Sequence, residues 1–242
     1  MRKILVLSTF ILVLLSGVNV LCKPGNTETD KVKDAQLTDK HQLTIYFEPG
    51  KAYSHTKWMF IIPIKLTPQM AFWIEDSNGE LVTTIYLTKK AAKNSWMGAA
   101  EERPEALPVF TTCRNNSPLK KRSVADTISG ATPKAHNNDI HAMGISGLEY
   151  GQTYTVYAEI NSSFDYNSEY NKKNSGVNGQ PSLIYKADFI YRNKTEALEN
   201  GIRLKPIGTG SVEGLDGKIY DKLSTLTNAL QILDKIYIKK YN

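Results

Sequence analysis

The chain has 242 residues and a formal net charge of +6, from 30 Lys and Arg against 24 Asp and Glu. The basic residues are scattered among acidic ones, which excludes the concentrated positive patch of a nucleic-acid-binding surface. Its two cysteines, Cys22 and Cys113, exclude a small domain cross-linked by several disulfides, and the chain is long enough to bury a core without them.

The N-terminus has the pattern of an export signal. Two basic residues precede an apolar run at residues 4–15, which is shorter than a membrane-spanning helix needs. We therefore predict a signal peptide at residues 1–22 and export to the periplasm or the cell surface. Leu21 stands where a lipoprotein signal places a small residue, which favours ordinary cleavage and the loss of Cys22. In the alternative, Cys22 is lipidated and anchors the chain to a membrane.

Residues 23–41 are polar and charged, with almost no large apolar side chain. This composition predicts a flexible linker between the signal peptide and a folded body. From residue 42 onward, short apolar runs rich in β-branched and aromatic residues follow one another, and no internal repeat divides them. We predict one β-sandwich domain at residues 42–242.

Most of these runs predict β-strands, at residues 43–47, 58–64, 70–75, 81–87, 154–160, 183–191 and 235–241. The sequence D-S-N-G at residues 76–79 predicts a hairpin, because Asn and Gly tolerate the positive φ of a tight turn. One strand face is predicted to carry Tyr154, Val156, Ala158 and Ile160. Helical patterns are limited to residues 89–96 and 223–233. The chain is therefore predicted to be mainly β, an immunoglobulin-like antiparallel β-sandwich with long loops and one or two short helices.

A long predicted loop, residues 115–138, contains the pattern D-x-x-S-G-A-T at residues 126–132. The pattern resembles the acceptor sequence of secreted flavoproteins of the sodium-pumping quinone reductase type. In those proteins a dedicated transferase joins the flavin phosphate to the hydroxyl of the last Thr. The resemblance implies covalent FMN on Thr132 and an FMN transferase as a partner.

The residues around that Thr suit an acceptor loop. Gly130 and Ala131 leave the backbone beside the nucleophile uncrowded, and Asp126 and Ser129 can hold the turn through local hydrogen bonds. Known acceptors usually continue with another hydroxyl residue two places on, whereas Pro-Lys follows here. The same residues also fit a surface turn that Asp or Ser stabilises.

Further segments resemble a family of uncharacterised bacterial periplasmic proteins, a domain of unknown function sometimes labelled as akin to a flagellar hook-capping protein. The segments are residues 70–79, 96, 103–108, 126–133, 150–160 and 179–182. The resemblance implies an immunoglobulin-like fold and a location in the cell envelope. It also implies a genetic neighbourhood of membrane redox proteins and flavin transferases, which is an association and not a mechanism.

A histidine-containing segment follows the flavin-acceptor pattern. His136, Asp139 and His141 form H-x-x-D-x-H, and on an extended segment Asp139 and His141 point the same way, so both could face one metal ion. No third or fourth ligand can be identified from the sequence. We predict no metal site, and the three residues stand only as candidate ligands.

The polar segment at residues 161–180 carries three aromatic residues, Phe164, Tyr166 and Tyr170, among Asn and Ser. Exposed rings of this kind could form a contact surface for a glycan or a protein, because they offer contact area with few rotatable bonds. In the alternative, the tyrosines cap the core of the sandwich.

The common catalytic patterns are incomplete. For example, G-I-S-G at residues 144–147 is followed by Leu148, where the nucleophile elbow requires Gly. The sequence therefore favours a non-enzymatic, exported module of the bacterial cell envelope that binds a protein or a glycan. It predicts no nucleic-acid partner, and a membrane partner only if Cys22 is lipidated. The alternative function is a redox accessory that carries covalent FMN on Thr132.

Overall fold

The computed structural model describes residues 43–93, 103–117, 128–130, 132, 141–145, 147–192, 200–212 and 214–240. The predicted signal peptide (1–22) and linker (23–41) lie outside the described residues. All described residues belong to one compact unit, residues 37–242.

The described residues form two large β-sheets and a separate hairpin. In chain order the strands are β1 Leu43–Pro49, β2 His55–Met59, β3 Ile62–Leu66, β4 Gln69–Asp76, β5 Leu81–Thr88, β6 Ile128–Gly130, β7 His141–Ile145, β8 Thr153–Asn161, β9 Leu183–Ile190, β10 Ile202–Arg203, β11 Lys205–Thr209 and β12 Leu233–Lys240. One sheet has the order β10-β12-β1-β7, and the other has the order β11-β9-β8-β4-β5-β6. Strands β2 and β3 pair only with each other among the described strands.

The two large sheets share one hydrophobic core. Strand β8 contributes the predicted face, since Tyr154, Val156, Ala158 and Ile160 are all buried in this core. Between the sheets, the rings of Phe47 and Phe72 stack with centroids 5.6 Å apart. The prediction of a mainly β sandwich is therefore confirmed, and its strand pairs are antiparallel except β5 with β6.

The predicted hairpin at residues 76–79 is also confirmed, because it joins the antiparallel strands β4 and β5. The Asp76 carboxylate accepts the backbone N–H groups of Asn78 at 2.8 Å and Glu80 at 2.9 Å. These bonds, the one from Glu80 foremost, lower the pKa of Asp76. Gly79 takes a φ of +77°, which other L-residues rarely adopt.

The helices are short. They are α1 Lys89–Lys93, α2 Pro108–Asn116 and α3 Lys172–Ser175, with 3-10 helices η1 Pro104–Ala106, η2 Leu223–Thr225 and η3 Asn228–Gln231. The part of the predicted helix at 89–96 that lies in the described residues is α1. The helix predicted at 223–233 is wrong, because two 3-10 helices precede strand β12 there. Leu226, Ala229 and Ile232 are buried in the sandwich core. The apolar side chains of this segment therefore pack against the core without forming a regular α-helix.

Helix α2 forms a second, smaller core on the outer face of the six-stranded sheet. Val109 and Phe110 of the helix pack with Trp73 of β4 and Ile184 of β9, and the rings of Trp73 and Phe110 lie 5.4 Å apart. None of the helices in the described part of the chain has the length and apolar composition that a membrane crossing requires.

Candidate functional site

A cleft of about 360 Å³ opens between helix α2 and the outer face of the six-stranded sheet. Its walls come from β4, β8, α2 and the segment that precedes η2. The lining side chains with polar or aromatic groups include Trp73, Glu75, Cys113, Asn116, Tyr157 and Asp216. A cleft of this size is within the range of small-ligand sites.

The floor of the cleft is a stacked aromatic pair. Trp73 of β4 lies directly opposite Tyr157 of β8 in the antiparallel register. The two rings are nearly parallel, with an interplanar angle of 14° and centroids 5.2 Å apart. Trp73 is fully buried, whereas Tyr157 is half-buried, so the tyrosine is the ring that a ligand can reach.

Glu75 lies beside this pair because it follows Trp73 by two residues on the same strand and shares its face. Its Oε1 atom accepts the indole N–H of Trp73 at 2.8 Å and the thiol of Cys113 at 3.3 Å. Among the described residues, Oε2 of Glu75 accepts no hydrogen bond. A ligand hydroxyl or ammonium group could therefore donate to Oε2.

The two weak acids in the cleft are both held protonated. Burial, and after it the negative charge of Glu75, raises the pKa of the Cys113 thiol far above its ordinary value. Burial also raises the pKa of Tyr157 to about 12, with Glu75 and Asp188 adding to the shift. Because the thiolate is the nucleophilic form of cysteine, Cys113 is not prepared for nucleophilic chemistry.

A second carboxylate stands at the rim. Asp216 accepts hydrogen bonds from the Tyr220 hydroxyl and from the backbone N–H of Lys218. These contacts, that of Tyr220 foremost, lower the pKa of Asp216 and keep it ionised. The cleft therefore combines an aromatic floor with two carboxylates.

Helix α2, which forms one wall of the cleft, is held by a carboxylate from the sheet. Leu107 precedes the helix and offers no capping side chain. Glu159, fully buried on β8, instead accepts the backbone N–H groups of Val109 and Phe110 and the hydroxyl of Ser182. The sequence prediction missed α2, Glu159 and the cleft. The signals present were the i, i+2 spacing of Trp73 and Glu75 and the proline at the start of α2.

The sequence predicted that the flavin-acceptor pattern lies in a loop, but part of the pattern forms a strand. Ile128, Ser129 and Gly130 form β6, the edge strand of the six-stranded sheet, which pairs in parallel with β5. Thr132 is half-buried, and its hydroxyl donates to the carbonyl of Pro68 at 3.3 Å. This distance exceeds the usual range of about 2.5–3.0 Å for an O–H···O bond, so the contact is a weak one. Asp126 and Ala131 lie outside the described residues.

The candidate metal ligands are only partly described. His136 and Asp139 lie outside the described residues, and only the backbone of His141 is described, at the start of β7. Within the described residues, no group of three or more His, Cys, Asp or Glu side chains is placed to hold a metal ion.

The three aromatic residues proposed as a contact surface have different environments. Tyr170 is buried, with 7% of its surface exposed, and its hydroxyl bonds to that of Thr225 at 2.9 Å. Tyr170 therefore follows the alternative in which the tyrosines cap the core and is not part of an exposed contact surface, because its ring packs into the sandwich core. Phe164 and Tyr166 are half-buried and meet edge to face, with centroids 6.4 Å apart.

The segment that carries these rings is ordered by buried polar groups that the sequence prediction did not identify. Asp165 accepts the Gln180 amide at 2.9 Å and the Asn228 amide at 3.2 Å. Arg103 reaches into the same segment, where its guanidinium donates to Ser163 at 3.1 Å and to Asn178. These contacts make residues 161–180 a rigid cap on the end of the sheets and not a free surface loop.

Comparison with known proteins adds no relative to this picture: no family model, no curated protein and no solved structure matches the chain.

Proposed function

We propose that this chain is an exported, non-enzymatic binding module of the bacterial cell envelope, and that it holds a saccharide unit of an envelope glycan in the cleft beside α2. The observation that carries the proposal is the stacked Trp73–Tyr157 pair with the Glu75 carboxylate beside it. Export and an envelope location are supported by the N-terminal sequence pattern and by the family resemblance.

The chemistry of the cleft favours a sugar ring over other small ligands. An aromatic ring offers a flat apolar surface for the C–H face of a sugar, while its edge remains available to polar groups. Glu75, Asp216 and Asn116 can bond to the hydroxyl groups at the periphery of such a ring. Because two of these groups are carboxylates, a neutral or amino sugar is favoured and an acidic sugar is repelled.

Two features support binding without catalysis. The thiol of Cys113 in the cleft is held protonated by burial and by Glu75. In the described part of the cleft no histidine is present to act as a general base for a hydroxyl or thiol nucleophile. The cleft is thus suited to holding a ligand unchanged.

Isothermal titration of the protein with three disaccharides, one neutral, one amino and one carrying a uronic acid, tests the proposal. We expect binding of the neutral or amino sugar and at least about tenfold weaker binding of the acidic one. Tyr157→Ala should abolish binding. Tyr237→Ala is the matched control, because Tyr237 is likewise a tyrosine that stacks on an aromatic ring, that of Tyr46, but lies in the other sheet.

Absence of saccharide binding, or equal binding by the Tyr157→Ala and Tyr237→Ala variants, would contradict the proposed function. Asp216→Asn sharpens the test, since it removes one negative charge at the rim and should selectively improve binding of the acidic disaccharide.

The second candidate function is a redox accessory with covalent FMN on Thr132, and the D-x-x-S-G-A-T pattern supports it. The half-buried position of Thr132 and its hydrogen bond to Pro68 count against it, because a transferase must reach a free hydroxyl. Intact-mass measurement of the protein purified from its own host distinguishes the two functions. An adduct of the mass of an FMN phosphoryl group, lost in Thr132→Val, would support the redox accessory, and its absence in a host with an active transferase would exclude it.

A further inference from the structure

The β2–β3 hairpin exposes a cluster of large apolar side chains. The exposed fractions of Trp58, Phe60, Ile61 and Ile62 are 64, 99, 88 and 62%. Phe60 and Ile61 occupy the turn, and Trp58 and Ile62 flank it on opposite faces of the hairpin. We call these four residues the apolar tip. Single exposed apolar residues are ordinary in soluble proteins, but four of them at the end of one hairpin mark an interaction site.

The hairpin is held at its base, so the apolar tip is presented in a defined position. The imidazole of His55 contacts the Ser162 hydroxyl at 3.4 Å. The ammonium group of Lys57 lies 3.3 Å from the ring centroid of Phe164 and 5.6 Å from that of Tyr166. These contacts tie β2 to the rigid segment at residues 161–180.

The two faces of the hairpin differ. Lys57 and its strand partner Ile64 are half-buried toward Phe164, whereas the next pair, Trp58 and Pro63, is exposed. Successive side chains of a strand point to opposite faces, so Trp58 is the member of the apolar tip on the outer face of the hairpin, next to the turn. Tryptophan is enriched at the boundary between a bilayer and water.

Phe60 occupies the turn with a φ of +56°. This left-handed conformation is one that glycine or asparagine usually supplies, and a bulky residue adopts it at a cost. The hairpin therefore retains an aromatic ring at the position where turn geometry alone would favour a small residue. The side chain is 99% exposed, so its packing within the fold does not explain it.

The hairpin itself carries lysine and no acidic residue. Residues 55–66 contain Lys57 and Lys65 and no aspartate or glutamate. Lys65 is exposed on the outer face, beside the Trp58–Pro63 pair. At the base, burial, and after it the positive charge of Lys172, lowers the pKa of Lys57.

We propose that the apolar tip inserts into the surface of a lipid bilayer that contains anionic lipids. The apolar side chains enter the region between the headgroups and the acyl chains, and Lys65 pairs with a lipid phosphate at the level of the headgroups. The apolar tip supplies the affinity, and the positive charge of the hairpin supplies the preference for an anionic surface.

The shape and size of the patch favour a bilayer over a protein partner. The apolar tip consists of four side chains at the end of a two-stranded hairpin, whereas a stable protein interface uses about 20–30 residues on each side. A fluid bilayer needs no complementary pocket and can surround a projecting hairpin. This proposal is independent of the cleft, which lies beside α2, and each can fail without the other.

Vesicle binding by the protein isolated from its host tests the proposal. The probes are vesicles of phosphatidylcholine alone and of phosphatidylcholine mixed with phosphatidylglycerol, the latter also with brominated acyl chains. We expect co-sedimentation with the anionic vesicles and quenching of Trp58 fluorescence by the brominated lipid. Trp58→Phe should remove that quenching, which distinguishes insertion of the tip from anchoring elsewhere, for example through a lipidated Cys22.

Two double variants complete the experiment. Phe60→Ser with Ile61→Ser should weaken binding to anionic vesicles by at least about tenfold, because much of the inserted apolar area is lost. Leu215→Ser with Leu230→Ser is the matched control, since both leucines are exposed elsewhere on the domain. Circular dichroism should show both variants folded, because all four positions are exposed.

Lys65→Glu should weaken binding to the anionic vesicles and leave binding to phosphatidylcholine alone unchanged. The proposal is overturned if the wild-type protein binds neither kind of vesicle, or if the tip variant binds as well as the control. It is also overturned if brominated lipid quenches the tryptophan fluorescence of the wild-type protein no more than that of the Trp58→Phe variant. Self-association that is lost in the tip variant, without vesicle binding, would assign the patch to a second copy of this chain instead.

Discussion

The carboxylate of Glu159 accepts the backbone N–H of Phe110 at 2.7 Å, and this contact joins the six-stranded sheet to the first turn of helix α2. The same carboxylate accepts Val109 N–H at 3.2 Å and the Ser182 hydroxyl at 2.6 Å. A buried carboxyl group on β8 thus takes the place of the missing capping side chain and positions the helix that forms one wall of the cleft. The backbone at Gly210 also lies close to this contact, because Gly210 donates its N–H to the carbonyl of Ser182 at 2.9 Å.

Stability should depend on pH through Glu159. Burial raises its pKa from 4.5 to about 7, against the opposing effect of its three hydrogen bonds. Between these two values the folded chain binds a proton that the unfolded chain has released, so the free energy of unfolding falls as pH rises from about 4.5 to 7. The loss is on the order of 3 kcal/mol and is complete above the folded-state pKa.

Urea titrations at several pH values, with Glu159→Gln as the comparison, measure this loss. The variant cannot titrate at this position, so we expect the difference in unfolding free energy between variant and wild type to change across this pH window. A constant difference from pH 4 to 8 would contradict the assignment of the raised pKa to Glu159.

Gly210→Ala should destabilise the fold. A Cβ atom at residue 210 would lie 2.5 Å from Oγ of Ser182 and 2.7 Å from Cγ of Pro108. Relief of these contacts must displace either the Ser182–Glu159 hydrogen bond or the start of α2, at a cost of about 1–3 kcal/mol. Thermal unfolding measures the effect. Gly214→Ala is the control, because its Cβ would meet only Oγ of Ser211 at 3.4 Å and should change stability by less than about 0.5 kcal/mol.

The Cys113 thiol should react slowly with an alkylating reagent in the folded protein. Burial and the charge of Glu75 raise its pKa, so the reactive thiolate is scarce near neutral pH. Mass spectrometry of iodoacetamide-treated protein should show alkylation at Cys113 only after unfolding in urea. Glu75→Gln should accelerate the reaction of the folded protein by removing one negative charge. Rapid alkylation of the native wild type would show that the thiol is neither buried nor held protonated.

Arg103 should be more important for stability than an ordinary surface arginine. Its buried guanidinium donates to Ser163 and Asn178 and lies 3.6 Å from Glu105. Arg103→Ala leaves buried acceptors without a donor, so we expect a loss of about 2–4 kcal/mol in denaturant titration. Arg203→Ala is the control, because Arg203 is exposed and its side chain makes one hydrogen bond within the described residues, to the carbonyl of Asp234. Equal losses in the two variants would show that the Arg103 contacts contribute little.

The local sequence predicted those elements that are marked by a short pattern of apolar, polar or turn-forming residues. Alternation in β8 identified its core face, and the D-S-N-G turn identified a hairpin, because both signals act over a few neighbouring residues. The single run predicted at 58–64 is instead divided by the turn at Phe60 into β2 and β3. The prediction of a helix at 223–233 was wrong because the apolar residues of this segment are spaced to pack against the sandwich core and not to form one face of an α-helix.

The sequence by itself determined the mainly β character of the fold, the positions of most of its principal strands along the chain and the position of one tight turn. These follow from short-range periodicity and from the conformational preferences of single residues. The tertiary structure alone decided that Trp73, Glu75, Cys113 and Tyr157 share a cleft, that Tyr170 is buried, and that the tip of β2–β3 is exposed. The physical reason is that burial and proximity depend on how separate strands pack. Residue 73 meets residue 157 only after the sheet has formed.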